Sequence, residues 1–201
     1  QMYIRVLTSA EEIAVCNLGS VNLARHMRDG VLDEEKIKQT VSTAIRMLDN
    51  VININYYSVE TARNSNLKHR PIGLGMMGFQ DALYVQDIAY CSNDAVEFAD
   101  KSMELISYYA IHASTELAKE RGKYETFDGS LWSKGILPKD SIEILAENRG
   151  NEYLNVDRSE TLDWDTLRKK VISDGMRNSN VMAIAPTATI SNITGVTQSV
   201  E

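Results

Sequence analysis

The sequence predicts an α/β fold in which short parallel strands are covered by helices on both sides. Three observations carry that expectation. The strand-like runs are few, short and largely continuous in apolar character, as strands buried on both faces are. Segments with apolar residues at helical spacing separate them, the alternation of a parallel sheet or barrel. The 201 residues are 43% hydrophobic and 24% charged, with 3 Pro and 11 Gly, enough for one sizeable core. No internal repeat, low-complexity tract or Gly/Ser linker divides the chain, so residues 1–201 read as a single domain.

Taken in order, Tyr3, Ile4, Arg5, Val6 and Leu7 predict a strand, and a second apolar run at 13–15 leads into Cys16. Asp33 is placed to cap a helix whose apolar positions are Ile37, Val41, Ala44, Ile45, Leu48 and Ile52. A strand is expected over 70–74, running through IGLGMMG into a helix-like FQDAL, with a further strand-like run at IAYC, 88–91. The next helix starts near Ser92, buries Val96, Ala99, Met103, Ile106, Ala110, Ala113 and Leu117, and stops at Gly122. Glu34, Lys38, Lys101 and Glu104 fall on the opposite, solvated faces of these two helices. Gly129, Gly135, Pro138 and Gly150 make 123–160 a loop with short helical turns. A helix over 163–173, with Leu167 and Val171 inward, precedes a last strand at 181–185. Three or four strands are too few to close a barrel, so the chain reads as a piece of something larger.

Composition removes several classes of function. A net charge of −7 opposes a sequence-independent grip on nucleic acid. No apolar run approaches the roughly 20 residues that cross a bilayer, and no signal peptide is expected in QMYIRVLTSAEE. Cys16 and Cys91 make neither a disulfide framework nor a zinc site, and His26, His69 and His112 lack metal-ligand spacing. A cytoplasmic location with reduced thiols is expected, and neither metal, membrane nor nucleic acid as a partner.

Three loops could carry chemistry. In AVCNLGSVNL, Cys16 is expected at the end of a buried strand, where parallel-sheet proteins place active-site groups; the plain alternative is a small buried hydrophobe. In APTATISNITGVTQSVE the apolar strand breaks at Pro186 into Thr187, Ala188, Thr189, Ile190 and Ser191. Hydroxyls and free amides at such a turn can hold phosphate oxygens without a Lys, or can simply cap the next helix. The third loop, IGLGMMG, spells G-x-G-x-x-G with Asp94 about twenty positions on, the outline of a dinucleotide fingerprint. Against that reading, the following helix is short and a long helix precedes the motif. Glycines that let a strand press closely on its neighbours explain the same letters.

Taken together, AVCNLGSVNLARH, RNSNLKHRPIGLGMMGFQDAL, ETFDGSLWSKGILPKDS and GMRNSNVMAIAPTATISNITGVTQSVE resemble, in this order, the large catalytic subunit of ribonucleotide reductase, of the aerobic class with a separate radical-generating subunit. The resemblance runs from about Ile4 onward and implies part of that family's ten-stranded α/β barrel, left incomplete. It makes IGLGMMG barrel scaffold rather than a dinucleotide site. It implies the reduction of ribonucleoside diphosphates to deoxyribonucleotides by radical chemistry, with Cys16 one thiol of the pair that becomes a disulfide. It implies that Thr187, Ala188, Thr189 and Ile190, with Ser191 beside them, hold the substrate's phosphates, and that Cys91 is structural. The implied partners are the remaining parts of the large subunit, the small subunit with its metal/radical cofactor, and a thioredoxin- or glutaredoxin-type reductant. This segment itself is expected to bind no cofactor.

One departure stands out. Counted back from Thr8 without a gap, Gln1 falls where that family carries its radical cysteine and Tyr3 where it carries a glutamate. Glutamine cannot form a thiyl radical, and tyrosine is a poor carboxylate substitute at neutral pH. Alone, the chain is therefore expected not to reduce nucleotides. The alternative to an enzyme segment is a catalytically inactive truncated remnant or structural module that at most binds phosphate. Half a barrel also exposes strand edges and apolar helix faces, so association with the missing part or with itself is expected. A sharp, protease-resistant monomer that binds no apolar dye would count against that.

Overall fold

The computed structural model describes residues 9–154 and 156–200. The strand expected over 3–7, with Gln1 and Tyr3, lies outside the described residues.

Parallel pairing organises the sheet. Strand β1 (Asn17–Asn22) pairs in parallel with a strand at Ile72–Met77, in register from Asn17↔Ile72 to Asn22↔Met77. Between them in sequence lies a short antiparallel ribbon, β2 (Met27–Arg28) with β3 (Val31–Leu32). Its turn is Asp29-Gly30, both at positive φ (52° and 80°), the Asp-Gly turn that suits a right-twisted hairpin. Ile72–Met77 is therefore β4. Every residue of β4 is buried, as expected of a strand covered on both faces. On its other side lies 180–183: Leu74 N donates to Val181 O at 2.9 Å, Ala183 N donates to Leu74 O at 3.2 Å, and Leu74 bridges Met182 in parallel. The expected strand at 181–185 is thus one parallel bridge wide, because the chain leaves the ladder before Pro186.

Helices pack where the apolar spacing put them. Helix α1 (Glu34–Ile54) starts at Asp33, whose carboxylate accepts from Lys36 N at 3.1 Å, and buries Ile37, Val41, Ile45 and Ile52. It packs on β1 and β4. Helix α2 (Glu60–His69) ends at Arg70 in the left-handed region, φ 50°. A short α3 (Phe79–Val85) follows β4 directly. Helix α4 (Asn93–Arg121) starts at Ser92, stops at Gly122 as expected, and lies along α1. After short turns and α5 (Ser141–Arg149), helix α6 (Trp164–Asp174) packs on α4 with Leu167 and Val171 buried. Last comes α7 (Ala188–Thr194).

Several expectations are corrected. Residues 13–15 are not a buried strand: Ile13 and Val15 are 42% and 37% exposed, and the strand begins after Cys16. The strand expected at 70–74 runs instead from Ile72 to Met77, since Gly73 and Gly75 extend as readily as they turn. IAYC is a turn, in which Ser92 N donates to Ala89 O, and Asp94 belongs to the first turn of α4. Val96 points outward, 68% exposed, because the buried stripe begins at Ala95 and Phe98. Glu104 is no solvated charge. Its carboxylate accepts from Thr161 N at 2.9 Å and Trp164 Nε1 at 2.9 Å, tying α4 to the start of α6.

Candidate functional site

Cys16 immediately precedes β1, so it stands at the amino end of a parallel strand and not at the carboxyl end expected from the sequence. A Cβ built on Gly73 would meet Leu18 Cδ2 and Ala183 Cβ at 2.7 Å and the Cys16 sulfur at 3.6 Å. Cys16, Leu18, Gly73 and Ala183 therefore share one face of the sheet. The other face is covered: a Cβ on Gly19 would meet Leu48 of α1 and Leu74 at 3.5 Å. On the Cys16 face, Leu18 is 46% exposed and the floor lacks side chains at Gly73 and Gly75. Cys16 is exposed, yet enough protein crowds its sulfur that desolvation raises the thiol above its ordinary value. Its S–H lies 3.6 Å from Asn17 O. Two neighbours on β1, Asn17 Nδ2 and Ser20 Oγ, are buried polar atoms without a hydrogen-bond partner.

The second loop turns at Pro186 past the carboxyl end of the sheet. Thr187 caps α7, and Ser191 N donates to Thr187 O at 2.8 Å. The amides of Ala188, Thr189 and Ile190 precede that first helical bond, so they are the orphan donors of a helix start. Thr187 and Ser191 are buried, at 2% and 3% exposure, whereas Ala188, Thr189 and Ile190 face solvent. The Thr187 hydroxyl accepts from Ser199 N at 2.7 Å, which folds the following turn back over the loop. That turn is fastened further by Gly78 N donating to Thr197 O and by Thr197 N donating to Asp81 Oδ2, 2.8 and 2.7 Å. A cleft of about 390 Å³ lies between α7 and this turn, lined by Ala188, Ser191, Asn192, Val196, Thr197 and Gln198. No Lys or Arg lines it, so any anion held there rests on amides and hydroxyls.

The glycines of IGLGMMG do not form a phosphate turn. Gly73 and Gly75 lie inside β4, and only Gly78, at φ 71°, turns into α3. A Cβ on Gly75 would stand 2.2 Å from Ala183 O, so glycine is needed there for the backbone of 180–183 to approach. A dinucleotide fingerprint needs its first glycine in the strand-to-helix turn, which this geometry denies. Saturable NAD binding that a bulky residue at Gly75 abolished would revive that reading.

Cys16 and the Thr187–Ser191 loop do not touch. They stand at opposite ends of a six-residue strand, on the order of 20 Å long. On the Cys16 face, Leu18 and the backbone of 180–183 close over Gly73 and Gly75. Sequence reasoning missed two side-chain clusters around the sheet. Glu12 accepts from Lys68 Nζ at 2.6 Å and meets His69 Nε2 at 2.7 Å. Asp49, fully buried, accepts from Arg70 Nε at 2.9 Å, Arg121 at 3.1 Å and Asn178 Nδ2 at 3.1 Å. Only long-range geometry joins these partners; the one sequence signal was charge at buried helical positions, such as Asp49 within the apolar stripe of α1. Cys91 is exposed in the turn before α4. Among the described residues, no group of three or more His, Cys, Asp or Glu is placed to hold a metal ion, and no helix is long and apolar enough to cross a membrane.

Parallel strands joined by helices, an exposed cysteine beside the strand ends and an amide-rich turn past their far ends together describe part of an α/β barrel. The chain belongs to the ribonucleotide reductase barrel-domain family: the family model described as "Ribonucleotide reductase, barrel domain" matches residues 4–201. It is 60% identical over 193 residues to the ribonucleoside-diphosphate reductase subunit alpha of Chlamydia muridarum, covering 96% of this chain and 18% of that protein. It is 43% identical to the subunit alpha of Helicobacter pylori strain 26695, covering 94% and 23%. It is 40% identical to the large subunit of Trypanosoma brucei brucei, covering 96% and 23%. The chain thus spans about a fifth of the length of these relatives.

Proposed function

We propose that the chain serves a ribonucleoside-diphosphate reductase as the segment that carries one redox thiol, Cys16, and the loop that holds the substrate's phosphates, Thr187 to Ser191. The observation that supports this best is the placement of an exposed thiol at one end of the parallel strands and the orphan amides of a helix start beyond the other. The amides of Ala188, Thr189 and Ile190 suit phosphate oxygens without a cationic side chain.

In the reaction, the substrate's 2′ C–O bond breaks and its hydroxyl leaves as water. A 2′ C–H bond forms, and two thiols give up two hydrogens and join as a disulfide. Cys16 is one of those thiols; its partner and the remaining segments of the large subunit are to be supplied separately, and so is the radical cysteine, at whose counted position this chain carries Gln1. A small subunit with a metal/radical cofactor starts the reaction, and a thioredoxin- or glutaredoxin-type reductant reopens the disulfide. This chain's residues bind, orient and reduce.

The test is conversion of a ribonucleoside diphosphate to its deoxy form. The chain is combined with the remaining large-subunit segments and the small subunit, and compared with Cys16→Ser. Product that disappears in the variant is expected. The count that sets Gln1 and Tyr3 at the radical-cysteine and glutamate positions favours a second reading, an inactive module that at most holds phosphate. Assembly of all segments without product would select it.

A further inference from the structure

The segment that delivers Cys16 to β1 is held by few contacts. Ser9 forms a local turn, its hydroxyl accepting from Glu12 N at 3.1 Å. Ile13 N donates to Thr61 O at 3.1 Å. From Ile13 to Cys16 every residue is exposed, so no core packing fixes the path. What remains is Glu12. One carboxylate oxygen accepts from Lys68 Nζ at 2.6 Å and the other meets His69 Nε2 at 2.7 Å.

The far side of this contact is well anchored. His69 Nδ1 meets Thr126 Oγ1 at 2.7 Å, and His69 O accepts from Ser179 N at 3.0 Å. Lys68 O accepts from Glu125 N at 3.2 Å. The end of α2 is thus stitched to the 124–127 turn and to the approach of the third strand, and it leads directly into β4. Glu12 fastens the cysteine's segment to that rigid corner. The Glu12 carboxyl is held below its usual range, first by the Lys68 hydrogen bond and then by His69, so it is ionised at neutral pH. Glu11 and Glu125 are the other charges acting on Lys68.

We infer that Glu12 is a positioning residue for the Cys16 thiol: through Lys68 and His69 it fixes the segment from which Cys16 enters β1. It thereby sets where the sulfur stands relative to an approaching partner. The geometric demand is tight, because a disulfide forms only when the two Cβ atoms come within about 3.5–4.5 Å. Three residues, all exposed, separate Glu12 from Cys16, and an unanchored arm of that length reaches about 10 Å, well beyond this tolerance. The consequence for turnover rests on the reading of Cys16 as a redox thiol; the anchoring itself does not.

Accessibility of the sulfur tests the anchor without any turnover. The intact 201-residue chain is alkylated with iodoacetamide at pH 7.5, and modification of Cys16 is read by mass spectrometry against Cys91, the exposed internal reference. Glu12→Gln is expected to raise the Cys16-to-Cys91 ratio about two- to fivefold, the size set by losing partly exposed charge-assisted contacts. Its unfolding midpoint should be unchanged, and Glu12→Asp, which keeps the charge, should give less than half that rise. On the unaltered chain, 1 M NaCl should raise the same ratio by screening. An unchanged ratio in Glu12→Gln, or Cys16 and Cys91 rising together, overturns the inference. If Glu12→Gln does not fold, the salt arm decides, and an unchanged ratio there overturns it equally. An assembled reductase whose turnover survives Cys16→Ser would instead contradict the proposed function and leave the anchor standing.

Discussion

Cys16 is a thiol whose surroundings disfavour its ionised form. Burial of the sulfur raises it, so at neutral pH it waits protonated, and a thiolate must be generated by the approach of a base or during reaction. The pH dependence of its alkylation should therefore show a midpoint above the ordinary thiol value; a midpoint below it would place an unseen cation beside the sulfur. The glycines make a second claim. Gly75→Ala brings a Cβ within 2.2 Å of the Ala183 carbonyl, backbone that cannot step aside, whereas Gly19→Ala meets only side chains at 3.5 Å. Gly75→Ala should cost about 1–3 kcal/mol by urea denaturation and Gly19→Ala much less; equal losses would refute the close-approach account. Residue types announced the thiol and the Thr/Ser turn, because their chemistry is carried by single side chains. Glu12 was not legible, since its partners Lys68 and His69 lie 56 and 57 residues away.

Among the elements, α1, α4 and α6 were legible because each announces itself twice, by a side-chain cap (Asp33, Ser92, Asp163) and by apolar spacing. β4 was cut short in the reading because glycine inside a strand imitates a turn, and only the neighbouring backbone of 180–183 shows why it must be glycine. α2 escaped notice: ETARNSNLKH is polar nearly throughout and its buried residues are Ala62, Ser65 and Asn66, which leave no apolar stripe to read. α1 and α4 are linked at their surface by Arg46 and Glu120, a bidentate pair at 2.6 and 2.9 Å. Glu120 is drawn down to about 2, chiefly by the Arg46 hydrogen bond against the opposing effect of burial, with Arg121 assisting. A lowered carboxylate contributes above its unfolded value of 4.5 and loses that contribution as pH falls towards 2. Carboxyl NMR titration should find Glu120 near that lower value in the native chain and shifted upward in Arg46→Met. An ordinary midpoint in the native chain would mean that the pair does not form in solution.

At the scale of the whole molecule, one buried carboxylate ties the elements together. Asp49 on α1 meets Arg70 at the end of α2, Arg121 at the end of α4 and Asn178 ahead of the third strand, so four separate stretches of chain converge on two oxygens. Arg70 is itself buried, at 4% exposure. Asp49→Asn leaves that guanidinium without its counter-ion and should lower stability by about 3–5 kcal/mol; a loss under about 1 kcal/mol would show the hub to be dispensable. The parallel α/β architecture was legible from alternation alone, but which face α1 covers was not, because that depends on α1 lying over Gly19 and Leu74. The proposed chemistry rests on Cys16 as its proposed reacting group. The most direct test is a single turnover of the assembled reductase without external reductant, with the redox state of Cys16 mapped by mass spectrometry against product formed. The account predicts that Cys16 enters a disulfide in step with deoxyribonucleotide, one for one; product accumulating while Cys16 remains a free thiol would contradict it.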